Sequence, residues 1–316
     1  MSRITRRAAI AGLLALAAGA CGERPPPTNR LVIATGGKGG VYYALGHALA
    51  TIIRRNWGIE VDVRQTGASI ENLHLIGEGT ADLAFATVDA VALALFGQSP
   101  FPARQPVNSL ALLYDEYLHA VTLADDDVFT MGDLAGKPVS IGANQSGTEL
   151  VSLRLLKAAG VKASELHHLG VAESVAALRE GDIRAFFFVG GLPTPAIADL
   201  ARDLPIRLLP LDAYVAKLQR DHSGVYVRRT IPATAYGMPS DIPTLGVHTL
   251  LVTGARMPDE VAYQIARLLF ASRDELAAAH SEARHLNQRV AIFTDPAQLH
   301  PGAIRYYQEV KQGVAG

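Results

Sequence analysis

The chain has 316 residues, of which 49% are hydrophobic and 19% are charged, and its formal net charge is −1. This composition is typical of a globular protein long enough for two lobes, and it excludes the basic footprint that a nucleic-acid partner requires. The single cysteine, Cys21, excludes an internal disulfide, and it leaves no thiolate for a metal site or for catalysis in the rest of the chain.

The first twenty residues have the pattern of a secretory signal. A positively charged start precedes an apolar run over residues 8–20 that is too short to span a bilayer. Small residues stand directly before Cys21, as in a lipoprotein cleavage site. We expect residues 1–20 to be removed and residues 21–30 to form a tether that carries lipid on Cys21. Soluble secretion without lipid and a twin-arginine signal are the alternatives.

Strands and helices alternate from Leu31 onward. In the first helix the residues Leu45, Leu49 and Ile52 share one face, which is the spacing of an amphipathic helix. Such alternation predicts a mostly parallel sheet covered on both faces. The predicted strands are residues 31–34, 61–64 and 81–87, the predicted helices are 42–55, 69–78 and 89–96, and an apolar extended segment covers 110–123.

The alternation then starts again in the second half. Because two such blocks are followed by a return segment, we predict two α/β lobes, with lobe 1 over residues 31–122 and 237–316 and lobe 2 over residues 123–236. Ligands of open α/β sheets bind outside the carboxyl ends of the strands. The predicted strands here are 138–141, 166–169, 185–189, 206–209 and 247–252, the helices are 146–159, 173–180, 195–201 and 258–280, and a rim segment covers 230–243.

Four strand-to-helix turns share a composition of glycine and hydroxyl residues. They lie at residues 35–43, 66–72, 143–149 and 189–195. Glycine lets the main chain approach a ligand, and each helix start offers unpaired N–H groups with a partial positive charge. Such turns bind anions without a cationic side chain. Each turn alone also fits helix capping, as Ser146 and Glu149 do, but their repetition in both halves favours a ligand site.

Phosphate-binding and nucleophile motifs do not fit these turns. Lys38 is followed by glycine rather than by the Ser or Thr of a phosphate-binding loop. Ser146 lacks the glycine two residues earlier that a nucleophile elbow requires. His167 and His168 lie in a predicted strand, where successive side chains point to opposite faces and chelate a metal poorly. We therefore expect no catalytic residue, no metal and no cofactor.

Several blocks together resemble one family. The segments TGGKGGVYY (residues 35–43), TGASIENL (66–73) and SGT (146–148) are similar to blocks of TAXI-type receptors, which are the extracytoplasmic solute receptors of one class of tripartite ATP-independent periplasmic (TRAP) transporters. Further similar blocks are ADLA (81–84), FFFVGGLPTPAI (186–197), IP (231–232) with Tyr236, and HPGA (300–303).

The resemblance implies a two-lobed periplasmic-binding-protein fold of type II-like form that closes on a small carboxylate such as glutamate or a 2-oxoacid. It also implies an ion-gradient-driven permease as the membrane partner, with subunits that are often fused. We expect the receptor itself to be a monomer. By position, it assigns the ligand to Thr35, Tyr42, Ser69, Asn72, Thr87, Asp89, Ser146, Gly147, Thr148 and Tyr236. The turns add Gly37 and Gly190, and Tyr114 is a candidate wall.

Two departures from the family pattern bear on the ligand. Lys38 stands where the family usually has a small residue, and Thr87-Val88-Asp89 stands where a Gln or Ser is often expected. A binding protein of an ATP-driven importer or of a sensor system would have the same cleft and is the alternative. An enzyme on this fold would need a nucleophile or an acid–base group, and none stands out in the sequence.

Overall fold

The computed structural model describes residues 28–222 and 224–314. The predicted signal segment, Cys21 and residues 22–27 of the tether lie outside the described residues. Within the described ranges, the helices are too short or too polar for any of them to cross a membrane.

The first half contains three strand–helix units and one long strand. The apolar face of the first helix packs on the sheet, and this helix ends at Gly58, whose φ of 65° is the left-handed conformation that glycine adopts freely. The elements are β1 (Arg30–Ala34), α1 (Val41–Trp57), β2 (Glu60–Arg64), α2 (Ser69–Glu78), β3 (Leu83–Thr87), α3 (Val88–Phe96) and β4 (Val107–Leu123).

The second half repeats the pattern and then returns to the first. Its elements are β5 (Pro138–Ser140), α4 (Gly147–Ala159), β6 (Glu165–His167), α5 (Val171–Glu180), β7 (Ala185–Gly190), α6 (Pro195–Asp203), β8 (Ile206–Leu208), α7 (Asp212–Asp221), β9 (Tyr226–Ile231), β10 (Ile242–Gly254), α8 (Asp259–Ala271), α9 (Arg273–Ala279) and α10 (Pro301–Lys311).

All ten strands belong to one continuous sheet with the path β2-β1-β3-β10-β4-β7-β5-β6. The predicted parallel pairing is confirmed at both ends, where β1 pairs with β2 and β3 and β5 pairs with β6 and β7. The centre is antiparallel, because β4 pairs with β10 through residues 107–117 and with β7 and β8 through residues 117–123. The expectation of a mostly parallel sheet is wrong for these central strands.

Several elements differ from the sequence prediction. The helix expected over residues 258–280 is two helices, since α8 stops at Ala271 and α9 starts at Arg273. Helices α7 and α10 and strand β9 were not predicted. Strand β9 contains the adjacent arginines Arg228 and Arg229, which interrupt the alternation of apolar and polar residues that marks a strand.

Candidate functional site

A cavity lies between the two halves at the carboxyl ends of the strands. The centres of water-sized spheres have about 70 Å³ of room inside it, so it is a small cavity. Apolar contact comes from Val41, Phe188 and Val189. The remaining lining residues are Gly36, Gly37, Gly40, Tyr42, Gly67, Ala68, Ser69, Thr87, Glu116, Gly142, Ala143, Ser146, Gly147, Thr148, Leu169, Gly170, Val171 and Gly190.

Five helices begin at this cavity. The residue that directly precedes each of α1 to α5 is one of its lining residues. The first-turn N–H groups of a helix lack partners within the helix, and its dipole places partial positive charge at this end. Each of these helix starts therefore directs partial positive charge from main-chain groups towards the cavity. These five residues are Gly40, Ala68, Thr87, Ser146 and Gly170.

Two main-chain hydrogen bonds close the cavity on one side. The N–H groups of Ile70 and Glu71, in the first turn of α2, both donate to the carbonyl of Gln145 at 3.1 Å. Gln145 has φ 58°, an uncommon left-handed conformation for a residue other than glycine. The start of α2 is thus joined directly to the turn before α4, and the two halves are held in contact.

Hydroxyl groups of the lining residues are fixed by main-chain bonds. Ser69 Oγ accepts from the N–H of Thr87 at 3.1 Å, and Thr148 Oγ1 accepts from the N–H of Val189 at 3.1 Å. These bonds hold side chains from both halves at the cavity wall. Ser146 Oγ accepts from the N–H of Glu149, which confirms Ser146 as the helix cap, whereas the Glu149 carboxylate accepts from the N–H of Gln145 rather than from that of Ser146.

Glu116 on β4 is a lining residue that the sequence analysis missed. It is 3% exposed, and Tyr114 Oη donates to its Oε1 at 3.2 Å. Burial raises the pKa of Glu116 to about 8, and the charge of Asp89 adds to this rise. No lysine, arginine or histidine is among the described residues that line the cavity. The sequence did contain a signal for this residue, since Glu116 is a carboxyl residue within the apolar extended segment predicted over residues 110–123.

Eight predicted site residues line the cavity together, and they come from both halves of the chain. Five others are buried outside it, in contacts that hold the fold, and these are Thr35, Asn72, Asp89, Tyr114 and Tyr236. The eight lining residues are Gly37, Tyr42, Ser69, Thr87, Ser146, Gly147, Thr148 and Gly190.

Thr35 and Asn72 are not among the lining residues. The Asn72 amide donates to the carbonyls of Thr35 at 2.7 Å and Phe85 at 2.8 Å, and thereby ties α2 to β1 and β3. Thr35 Oγ1 donates to the carbonyl of Arg64. Both side chains satisfy buried main-chain carbonyls at strand ends, so the structure places them in support of the turns rather than at the cavity surface.

Tyr114 and Tyr236 also lie outside the lining. Tyr114 stands beside Glu116 and bonds to it. Tyr236 Oη accepts from the N–H of Thr194 and lies 2.9 Å from His119 Nε2, while His119 Nδ1 is 3.2 Å from the carbonyl of Phe188. Since a carbonyl only accepts, Nδ1 carries the proton and Nε2 accepts from Tyr236. Burial lowers the pKa of His119 to about 4 and raises that of Tyr236 to about 12.

Asp89 is not a lining residue either. Its Oδ2 accepts from Tyr226 Oη at 2.7 Å and from Arg154 Nη1 at 3.3 Å, and Arg154 also donates to Tyr226 Oη at 2.6 Å. The Asp89 side chain is fully buried, and that of Arg154 is 15% exposed. This network joins α3 to α4 and β9, behind the cavity, and it satisfies a charge that burial would otherwise penalise.

Comparison with known proteins places this geometry in a family. A model of the NMT1-like family matches residues 33–310. Among solved structures, MatC from Rhodopseudomonas palustris with bound malate has a TM-score of 0.56 at 15% identity, covering 91% of this chain and 97% of that one. A structure described as a periplasmic transporter also has a TM-score of 0.56, at 14% identity, with coverage of 92% and 95%.

A third similar structure is the ligand-binding component of an ABC-type import system from Staphylococcus aureus, with a TM-score of 0.50 at 13% identity and coverage of 90% and 92%. These similarities show the fold. The predicted α/β, two-lobed periplasmic-binding-protein fold is confirmed. The family match does not by itself identify the TAXI-type class.

Proposed function

We propose that this chain, which belongs to the NMT1-like family, is an extracytoplasmic solute receptor that captures a small carboxylate and has no catalytic step of its own. The single observation that carries the proposal is the cavity at which five helices begin and which has no cationic side chain among its described lining residues. Helix starts of this kind bind carboxylates through main-chain N–H groups.

The available interactions are large enough for a useful affinity. A helix N-terminus contributes about 0.3–1 kcal/mol at a surface and up to about 2 kcal/mol when partly buried. Hydrogen bonds to a charged group add about 1.5–3 kcal/mol each. Micromolar affinity corresponds to about 8 kcal/mol, so a few converging turns suffice even after the cost of ordering the ligand is subtracted.

Capture is proposed to occur by closure of two lobes. Lobe 1 comprises residues 31–122 and 237–316, and lobe 2 comprises residues 123–236. The bonds from Ile70 and Glu71 to the carbonyl of Gln145 support this, because they join the two proposed lobes directly at the cavity. A ligand that contacts both sides stabilises the closed state by its differential affinity for that state. The closed form is then the one that a membrane permease recognises.

The partner is proposed to be an ion-gradient-driven TRAP permease of the TAXI-associated class, because the blocks at residues 35–43 and 66–73 resemble TAXI-type receptors. The receptor acts as a monomer and without a cofactor in this proposal. An ATP-driven importer or a sensor system is the alternative. A neighbouring gene for a large multi-spanning permease, without an ATPase gene, supports the first partner, whereas an ATPase gene supports the second.

Export and lipid anchoring through Cys21 complete the proposal. The support is the positively charged start and the apolar run that end in small residues before Cys21. Replacement Cys21→Ser is expected to release the protein from the membrane fraction. If the variant stays in that fraction, the lipid anchor is not what holds the protein there.

The test of ligand capture is native mass spectrometry of the protein lacking residues 1–21, followed by release and identification of any bound small molecule. A carboxylate-bearing molecule supports the proposal. An empty protein is then screened with small carboxylates by thermal shift and by small-angle scattering. We expect stabilisation and compaction with at least one of them. If no carboxylate produces either change, the proposed function is wrong.

A further inference from the structure

One buried carboxyl group lies in a cavity whose other polar contacts suit an anion. Glu116 is 3% exposed and lines the cavity together with the residues that precede five helices. An uncompensated carboxylate here repels the anion that the helix starts attract. A glutamine would provide hydrogen bonds without this conflict, so the carboxyl group calls for an explanation in terms of the ligand.

Among the described residues that line the cavity with Glu116, none carries a positive charge. The hydroxyl groups of Tyr42 from α1, Tyr114 from β4 and Thr249 from β10 surround it. The negative charge of Asp89 on α3 also acts on Glu116 and disfavours its ionised form. Arg154 donates a hydrogen bond to Asp89. Burial raises the pKa of Glu116 to about 8, so the empty site holds this group mostly as a neutral acid at pH 7.

We propose that Glu116 binds the ammonium group of the ligand, and that the cavity therefore selects an amino acid over carboxylates that lack an amine. The inference rests on the proposed function, since it takes the carboxylate-binding helix starts as given. An α-amino acid carries its ammonium and its carboxylate on one carbon, so their partners must be neighbours. Glu116 and the start of α1 line the same cavity, and Tyr42 in the first turn of α1 contributes a hydroxyl beside Glu116.

Charge balance follows from this arrangement. The ammonium replaces the proton of Glu116, which leaves to the solvent, and the ion pair inside the cavity is then neutral overall. The ligand carboxylate remains with the helix starts. Each binding event at pH 7 therefore releases close to one proton, whereas a 2-oxoacid or a dicarboxylate leaves the proton on Glu116 and releases none.

The experiment compares ligands that share a carbon skeleton on the mature protein. L-alanine is paired with pyruvate, L-leucine with 4-methyl-2-oxopentanoate, and L-glutamate with 2-oxoglutarate and glutarate. Isothermal calorimetry at pH 7 is run in buffers with different enthalpies of ionisation. We expect at least one amino acid to bind more tightly than its oxoacid, with release of close to one proton. This measurement needs no variant.

Glu116→Gln tests the same point by a different route. It keeps the size of the side chain and its ability to donate a hydrogen bond, but it removes the negative charge. We expect it to weaken amino-acid binding by at least about 30-fold, because it breaks a buried charge pair, and to leave oxoacid binding within a few-fold of the wild type. Asp182→Asn also replaces a carboxylate by an amide, but at an exposed position outside the cavity. We expect it to leave amino-acid affinity and oxoacid affinity unchanged.

The outcomes separate the two proposals. Preference for the amino acid with proton release supports the role of Glu116. If oxoacids bind as well as amino acids in every pair, or if Glu116→Gln retains full amino-acid affinity, that role is wrong and the carboxylate receptor stands. If no member of the series binds, the inference and the proposed carboxylate function are both overturned.

Discussion

The Nη1 atom of Arg154 lies 3.3 Å from Oδ2 of Asp89, and this ion pair joins α4 in one proposed lobe to α3 in the other. Both side chains also bond to the hydroxyl of Tyr226. The contact lies behind the cavity, so it acts on the arrangement of the halves without touching the space where a ligand would bind.

Removal of this pair is expected to weaken both stability and ligand binding. Arg154→Met leaves the buried Asp89 without its cation, which costs about 3–5 kcal/mol for a pair of this kind. The thermal midpoint falls, and small-angle scattering shows a larger radius of gyration in the absence of ligand. Lys157→Met, at an exposed position of the same helix, is the matched control and is expected to change neither quantity. An unchanged radius of gyration in Arg154→Met would show that the pair does not hold the halves together.

Glu116 should make stability depend on pH. Its pKa is about 8 in the folded protein and near 4.5 in the unfolded chain, so between these values the folded state retains a proton that the unfolded state has released. The free energy of unfolding therefore decreases as pH rises from about 5 to 8. Glu116→Gln removes this decrease. The free energy of unfolding of the variant, measured by urea denaturation, therefore rises relative to that of the wild type as pH increases over that interval.

Asp133→Asn is the control for this pH dependence. Main-chain N–H donation from Phe129 and Thr130 lowers the pKa of Asp133, so its contribution to stability is complete above the normal pKa and is lost only as pH falls below it. The difference between this variant and the wild type should stay constant from pH 5 to 8. A constant difference for Glu116→Gln as well would contradict the raised pKa of Glu116.

Gly147→Ala is expected to prevent full closure. A Cβ atom there would lie 2.8 Å from Thr87 Oγ1 and 2.9 Å from Ser69 Oγ, both on the opposite side of the cavity. Such distances require the two sides to move apart. We expect loss of ligand affinity with a small effect on the thermal midpoint. Gly132→Ala, whose closest neighbour would be 3.6 Å away, should bind ligand normally. Wild-type affinity in Gly147→Ala would mean that binding does not need the closed contact.

Tyr236→Phe separates a structural role from a binding role. The substitution leaves the N–H of Thr194 and Nε2 of His119 without their partner, which costs about 1–3 kcal/mol. Because Tyr236 does not line the cavity, ligand affinity measured below the unfolding transition should remain within about two-fold of the wild type. A large loss of affinity in a folded variant would instead support the role that was predicted for Tyr236 from the sequence.

The sequence predicted the site residues best where the same local pattern of glycine and hydroxyl residues occurs at several turns. Three of the four glycine and hydroxyl turns contain helix starts at the cavity, those of α1, α2 and α4, because an N-terminal turn is defined by a few neighbouring residues. Eight of the predicted site residues line one cavity for this reason. Thr35, Asn72 and Tyr236 were harder to place, since a buried polar side chain looks the same in the sequence whether its partner is a ligand or another group of the protein.

The antiparallel centre of the sheet could not be predicted in the same way. The pairing of β4 with β10 joins residues more than 120 positions apart, and nothing local in either strand specifies its partner. Glu116 was missed for a related reason. The buried face of β4 at residue 116 is created by β10 and α1, which are distant in sequence.

Strands β4 and β10 run unbroken from one half of the molecule to the other, and they pair with each other along most of their length. The halves consequently share strands in one sheet rather than standing as separate modules joined by linkers. Neither half has a complete set of sheet partners by itself. Heat should therefore melt the protein in a single calorimetric transition, and exchanging one half for that of a relative would require the replacement of both shared strands as well.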